Sequence, residues 1–251
     1  MLVTVIGRGH SGTRAISHTL SASGVYMGEP LNVSGDLLPP NKMYEACRVF
    51  AQYVKYEGDL SWDFSQVFKT APTNEFKILI EEYLHTVLAS KSENSGWKIP
   101  ETTLVYPWIL NMFPDIAYIF WVRDPRDCIL NSHLTDKLGD FGVPYTLPDK
   151  YASQCKNDED FTRLHRAISW HYQRELVRLS PVPKKMISFR FEDMVFDQDN
   201  QLARLSEFLD IKAAKIEMRS DSVGRYKTDA GTHMYDFFES DMKSLGYIIQ
   251  S

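Results

Sequence analysis

The sequence predicts a three-layer α/β/α fold around a mainly parallel sheet. Two apolar runs, residues 2–6 and 116–122, are rich in β-branched and aromatic residues and carry no charge. Such runs suit strands buried on both faces. Each run leads into a polar loop and then a helical pattern, so the order strand, loop, helix occurs at least twice. Between them, residues 74–89 place Phe76, Leu79, Ile80, Tyr83, Leu84, Val87 and Leu88 on one helical face.

Taken in order, the strand at 2–6 is followed by the turn Gly7-Arg8-Gly9-His10-Ser11-Gly12-Thr13-Arg14. A helix is predicted over 13–23, with Gly24 as its stop. Further helices are expected over 41–55 and 74–89, and a short strand end over 97–99. The run 116–122 enters Arg123-Asp124-Pro125-Arg126-Asp127 and then a helix through about Leu134. Residues 138–160, rich in Gly, Pro and polar side chains, read as a long loop or lid. A helix over 159–179, a strand over 185–191 and a helix over 198–209 complete the regular part, and periodicity is weak after Ile211. No repeat or composition break divides the chain, so one domain spanning residues 1–251 is expected.

The 28 Lys and Arg against 33 Asp and Glu leave a net charge of −5. That balance argues against broad binding of nucleic acid or anionic membrane, so any anion site has to be a local concentration of cations and amides. Cys47, Cys128 and Cys155 are odd in number and widely spaced, which favours reduced thiols over a disulfide framework. His165 and His171 stand six residues apart, outside zinc-ligand spacing, and no metal is expected. The first apolar run is too short for a signal peptide, and no run reaches membrane length. The expectation is a soluble, cytoplasmic protein.

A glycine-rich turn between a buried strand and a helix aims free amides and the positive helix end at one point. Ser11 and Thr13 can add hydroxyl donors, and Arg8, His10 and Arg14 charge. The plainer reading is a tight turn with incidental polar residues. A Walker A loop, GxxxxGK[ST], is ruled out because Thr13 and Arg14 follow Gly12. At the end of the second run, Arg123 can bind phosphate in bidentate fashion. Alternatively, the Arg/Asp cluster only caps a helix whose first turn Pro125 suits.

The core His10-Ser11-Gly12-Thr13 resembles the 5′-phosphosulfate loop of PAPS-dependent sulfotransferases, with His10 where the family usually has Lys or Arg. On that resemblance, protonated His10, Arg8 or Arg14 supplies the charge, and Gly9 and Gly12 belong to the same cradle. Arg123, followed eight residues on by Asn131 and then Ser132, is similar to the family's 3′-phosphate motif. There the resemblance implies Arg123, with Asn131 or Ser132 as alternatives.

The run Phe189-Arg190-Phe191-Glu192-Asp193-Met194 is similar to a late aromatic-Glu-Asp strand end, with Phe191 in the aromatic place. Ser222-Val223-Gly224-Arg225-Tyr226-Lys227 looks like the bacterial Gly-Arg-Trp-Lys segment that closes over the nucleotide. Lys98, two residues before Pro100, resembles the Lys-x-Pro element of the protein-tyrosine branch and would stabilise the transferring group. Glu29 stands where some members place their catalytic glutamate, and His10 and His133 are rival bases. For His133 a structural or phosphate-neutralising role is favoured, and for mid-helix His18 packing.

The resemblance implies a P-loop NTPase-like fold, PAPS as donor with PAP as product, and no metal. It also implies a hydroxyl or amine acceptor, small-molecule or carbohydrate, and no nucleic-acid or membrane partner. A small-molecule kinase and a non-catalytic nucleotide-binding protein are the rival readings.

Overall fold

The computed structural model describes residues 1–249. The regular elements run β1 (Leu2–Ile6), α1 (Thr13–Ala22), α2 (Asn41–Ala51), β2 (Lys55–Gly58), β3 (Ser61–Asp63), α3 (Ser65–Lys69), α4 (Asn74–Tyr83) and α5 (His85–Leu88). They continue with β4 (Ser95–Trp97), α6 (Tyr106–Met112), β5 (Ala117–Val122), α7 (Pro125–Cys128), α8 (Asp149–Ala152) and α9 (Asp158–Leu179). The last are β6 (Met186–Arg190), α10 (Phe191–Phe196), α11 (Gln198–Leu209) and α12 (Glu239–Ser244).

Four strands form one parallel sheet in the order β4-β1-β5-β6. Val3 pairs with Ala117 and Ile6 with Phe120, while Val122 pairs with Arg190. Alternation along the strands sends successive side chains to opposite faces. Val3, Val5, Ala117, Ile119 and Trp121 therefore pack with α1 and α11 on one face. Ile6, Tyr118, Phe120 and Val122 pack with α2, α4, α6 and α9 on the other. Two cores on either side of one sheet give the three layers that the unbroken apolar runs predicted.

Several boundaries moved. The helix expected over 41–55 ends at Ala51, because residues 55–58 pair with 61–63 in an antiparallel hairpin. The strand expected over 97–99 lies at Ser95–Trp97, and Phe191 opens α10 rather than closing β6. After Arg123-Asp124 the helix lasts one turn only, since Arg8 and Arg166 guanidinium groups take the carbonyls of Cys128 and Ile129.

The first part of the expected loop over 138–160 is packed into the protein. Leu138, Phe141 and Val143 are core residues, and Trp62 Nε1 and Tyr56 Oη bond the carbonyls of Pro144 and Thr146. Among the described residues, no helix is long and apolar enough to cross a membrane.

The topology also locates a crevice. The connection leaving β1 leads to β4 on one side of it, and the chain then returns to β5 on the other. In open parallel sheets ligands bind outside the carboxyl ends of strands at such a switch point. Here those ends are Gly7 onward and Arg123 onward, the two segments singled out in the sequence.

Candidate functional site

The turn after β1 is built for close approach to a ligand. Gly12 caps α1 in the left-handed region, φ 86°, and an added Cβ would fall 2.4 Å from the Phe191 ring. Gly9 lies against His133, where a Cβ would fall 2.1 Å from the imidazole. Beneath the turn, Gly7 N donates to Thr103 Oγ1 at 2.9 Å and Trp121 Nε1 to the Ser11 carbonyl at 2.9 Å. The Ser11 amide and hydroxyl both return to the Arg8 carbonyl. The amides of Gly9, His10, Gly12, Thr13 and Arg14, by contrast, find no acceptor among the described residues. With the positive end of α1 they leave a set of anion donors at the mouth of the turn.

Arg8 contributes from behind. It is buried, bonds the carbonyls of Gly9 at 2.8 Å and Cys128 at 3.2 Å, and pairs with Asp136.

At the end of β5, side chains hold the backbone. Asp124 accepts the Arg126 amide at 2.9 Å, capping α7, and also clasps the Arg126 guanidinium at 2.6 Å. Its own amide donates to Glu192 Oε1 at 2.9 Å, and the Tyr247 hydroxyl donates to Glu192 Oε2 at 2.9 Å. Burial raises the Glu192 carboxyl above its ordinary value. Asp127 accepts the amides of Gly224 at 2.7 Å and Tyr226 at 3.1 Å, fastening the late Gly-Arg segment to this strand end.

Arg123 is 8% exposed and lies 4.7 Å from the centre of the Phe191 ring. Its Nη1 reaches the His10 carbonyl at 3.3 Å, and its Nη2 bonds the Ser222 carbonyl. Its Nε is buried without a partner among the described residues.

Between the two segments opens a cleft of about 710 Å³. Gly9, His10, Gly12, Thr13 and Arg14 line it from the turn, and Lys98 from beyond β4. Arg123, Asn131, Phe191 and Arg225 line it from the other side. Arg14, Lys98, Arg123, Arg219 and Arg225 outnumber the carboxylates Asp36, Glu217 and Asp221. A chain of net charge −5 thus turns a cationic face toward this one crevice.

The structure keeps five of the sequence-selected residues off the cleft wall. Arg8 and Ser11 brace the turn from within, and Gly224 supports Arg225 through Asp127. Ser132 Oγ is taken by Arg166 at 2.7 and 3.1 Å, so Asn131 faces the cleft in its place. Glu29 points outward: Leu37 and Val87 crowd Gly28, and the Glu29 amide reaches Thr86 Oγ1 at 3.3 Å.

On the Lys98 side of the cleft the wall carries Asp36, which the sequence motifs do not point to. Its Oδ1 accepts Lys98 Nζ at 2.5 Å and its Oδ2 accepts Asn32 Nδ2 at 2.9 Å. Lys98 also donates to the Ser34 carbonyl at 2.7 Å and is almost wholly buried. Burial lowers the Lys98 pKa, and Asp36 opposes that shift. Beside them, burial raises the Glu101 carboxyl to about 7.

Three histidines share the cleft. Burial, then Arg8, lowers the His10 pKa, which works against protonated His10 and leaves Arg14, on the cleft wall, among the three alternatives for the charge of this turn. His133 is held at about 3 by burial and Arg8, and its Nδ1 accepts the Thr135 amide at 3.2 Å. His18 is not a packing residue: it is exposed and lines the cleft one turn beyond Arg14. The segment 216–222 was missed in part, the sequence having pointed only to its end at Ser222. A signal existed for Asp36 and the 32–36 turn, namely a polar loop leaving the helix that follows the glycine turn.

The same architecture recurs in solved structures. The sulfotransferase domain from the curacin biosynthetic pathway superposes with a TM-score of 0.54 at 13% identity, over 99% of this chain and 98% of that one. The sulfotransferase domain from the Synechococcus PCC 7002 olefin synthase gives 0.54 at 11%, over 99% and 95%. At these identities the likeness speaks for the fold. The comparison with curated proteins finds no match. The profile of the Sulfotransferase family matches residues 3–215, taking in both cleft-lining strand ends and most of the sheet, and by that match the chain belongs to the sulfotransferase family.

Proposed function

We propose that the chain moves a sulfuryl group from PAPS to an acceptor hydroxyl or amine, releasing PAP. The observation that carries this reading is the pair of anion sites facing each other across one cleft. One is the amide-lined turn at the end of β1, and the other is Arg123 at the end of β5, whose buried Nε has no partner among the described residues. Two such sites suit a nucleotide with phosphate at both its 5′ and 3′ ends. The donor would bring a sulfuryl group already bonded to a good leaving phosphate.

The residues divide the work. Amides of Gly12, Thr13 and Arg14, with the Arg14 side chain, bind the 5′-phosphate and stabilise the charge that gathers on its bridging oxygen. Lys98, held in place by Asp36 and the Ser34 carbonyl, adds a cation at the reacting end. Arg123, Asn131 and Arg225 hold the 3′-phosphate, and Phe191 offers an aromatic face beside it. As in phosphoryl transfer, catalysis of this kind is mostly positioning and charge stabilisation.

Calorimetry with PAP, beside ATP with magnesium, tests the reading. Wild type should bind PAP without metal. Arg123→Ala should weaken binding about 10- to 100-fold, the size expected for losing charge-assisted hydrogen bonds. Binding of magnesium-ATP with no response to PAP overturns the proposal in favour of a kinase.

A further inference from the structure

We propose that His18 takes the proton from the acceptor, and that the acceptor binds between His18 and Lys98, under the 32–36 turn. The assignment rests on the sulfuryl-transfer reading above.

Its support is geometric. His18 lies on α1, on the cleft wall. The 32–36 turn folds directly over it, close enough that a Cβ on Gly35 would stand 3.4 Å from His18 Cδ2. The same turn carries both groups that hold Lys98, the Ser34 carbonyl at 2.7 Å and Asp36 at 2.5 Å. Asn32 stiffens the turn, its Oδ1 accepting the amides of Ser34 at 2.8 Å and Asp36 at 3.0 Å. One short, internally bonded loop thus brings a histidine and a lysine together on the cleft wall.

The other bases fit less well. Asp36 has both carboxylate oxygens engaged, by Lys98 and Asn32. His133 spends Nδ1 on the Thr135 amide, and His10 sits between Arg8 and Arg123 on the donor side. Glu29 lies outside the cleft.

The charges acting on His18 are Arg14 on its own helix and Lys98 beyond β4, with Asp36 on the turn paired to Lys98, and the Val33 carbonyl accepts from the ring. Partial burial, then Arg14 and Lys98, lower its pKa below the ordinary histidine value. At neutral pH the ring is therefore uncharged and keeps a lone pair for a proton. In the step, the acceptor oxygen or nitrogen forms a bond to sulfur as the bond from sulfur to the 5′-phosphate oxygen breaks. The electron pair stays on that phosphate oxygen, and the acceptor proton passes to the His18 ring and then to water.

The probe is [35S]PAPS with water as acceptor, the enzyme in excess, and labelled sulfate release followed from pH 5 to 9. Wild type should show a rate that rises with pH through a limb below the ordinary histidine pKa, then levels. His18→Gln should lose that limb and about 100- to 10,000-fold in rate. Its PAP affinity by calorimetry should stay within about twofold of wild type. His18→Ala should regain rate on addition of imidazole, which a merely structural histidine would not allow. A wild type that binds PAP but shows no histidine limb, or a His18→Gln enzyme that retains it, overturns the assignment. A wild type that fails to bind PAP removes the reading beneath it instead.

Discussion

Arg8 and Arg123 occupy equivalent places, one after β1 and one after β5, yet they do opposite things. Arg8 turns into the protein, pairs with Asp136 and bonds the Gly9 and Cys128 carbonyls. Arg123 keeps its guanidinium at the cleft, under Phe191 and the Ser222 carbonyl. The difference follows from which part of each segment meets the ligand. In the glycine turn the backbone amides face outward, so the side chains are free to brace from behind. At the β5 end a side chain faces outward, so Asp124, Asp127 and Glu192 must hold the backbone still.

That contrast predicts where mutations act. Arg8→Ala leaves the buried Asp136 without its cation, holding only the His133 amide, and frees two carbonyls, so it should cost about 3–5 kcal/mol of folding stability. Urea denaturation measures this, and Arg123→Ala should cost far less by the same assay while losing PAP affinity. A stability loss for Arg8→Ala of under about 1 kcal/mol would show that the inward arginine is not the brace described here. Gly12→Ala comes next. The left-handed φ of 86° and the nearby Phe191 ring should together cost about 1–3 kcal/mol, with PAP binding reduced because the turn must open. Trimming the ring in the double variant Gly12→Ala/Phe191→Ala should relieve the clash but not the backbone strain.

The same contrast explains what could be read from the sequence. β1 and β5 were legible almost to the residue because burial on both faces leaves an unbroken apolar run. Gly12 and Arg123 were legible because each stands at a fixed offset from such a run. The truncation of α7 was not, since its cause is distant: Arg8 and Arg166 supply donors to carbonyls that a longer helix would have used. Asp36 had only the weak signal of its polar loop, and His18 had none. His18 shows only as one residue in an amphipathic helix, and its exposure depends on a turn whose course is fixed by Asn32 and Asp36. Glu29 is suggested only by its place shortly after the first helix, where some family members carry a catalytic glutamate. Packing of Leu37 and Val87 on Gly28 then carried it to the outside.

The smallest expected effect separates two neighbours that the sequence left as alternatives. Asn131 lines the cleft and among the described residues makes no side-chain bond comparable to that of Ser132, whose hydroxyl accepts both Nε and Nη2 of the buried Arg166. Arg166 in turn bonds the Ile129 carbonyl, so Ser132 helps fix the chain just past α7 from behind. Ser132→Ala should therefore cost about 1 kcal/mol in stability, the worth of a hydrogen bond to a charged donor at a half-open site, and leave PAP affinity within about twofold. Asn131→Ala should do the reverse, weakening PAP about three- to tenfold with stability changed by less than about 0.5 kcal/mol. Paired denaturation and calorimetry on the two variants decide it. If Ser132→Ala loses affinity while Asn131→Ala does not, the hydroxyl leaves Arg166 for the phosphate when nucleotide binds, and the β5 end rearranges rather than receiving its ligand preformed.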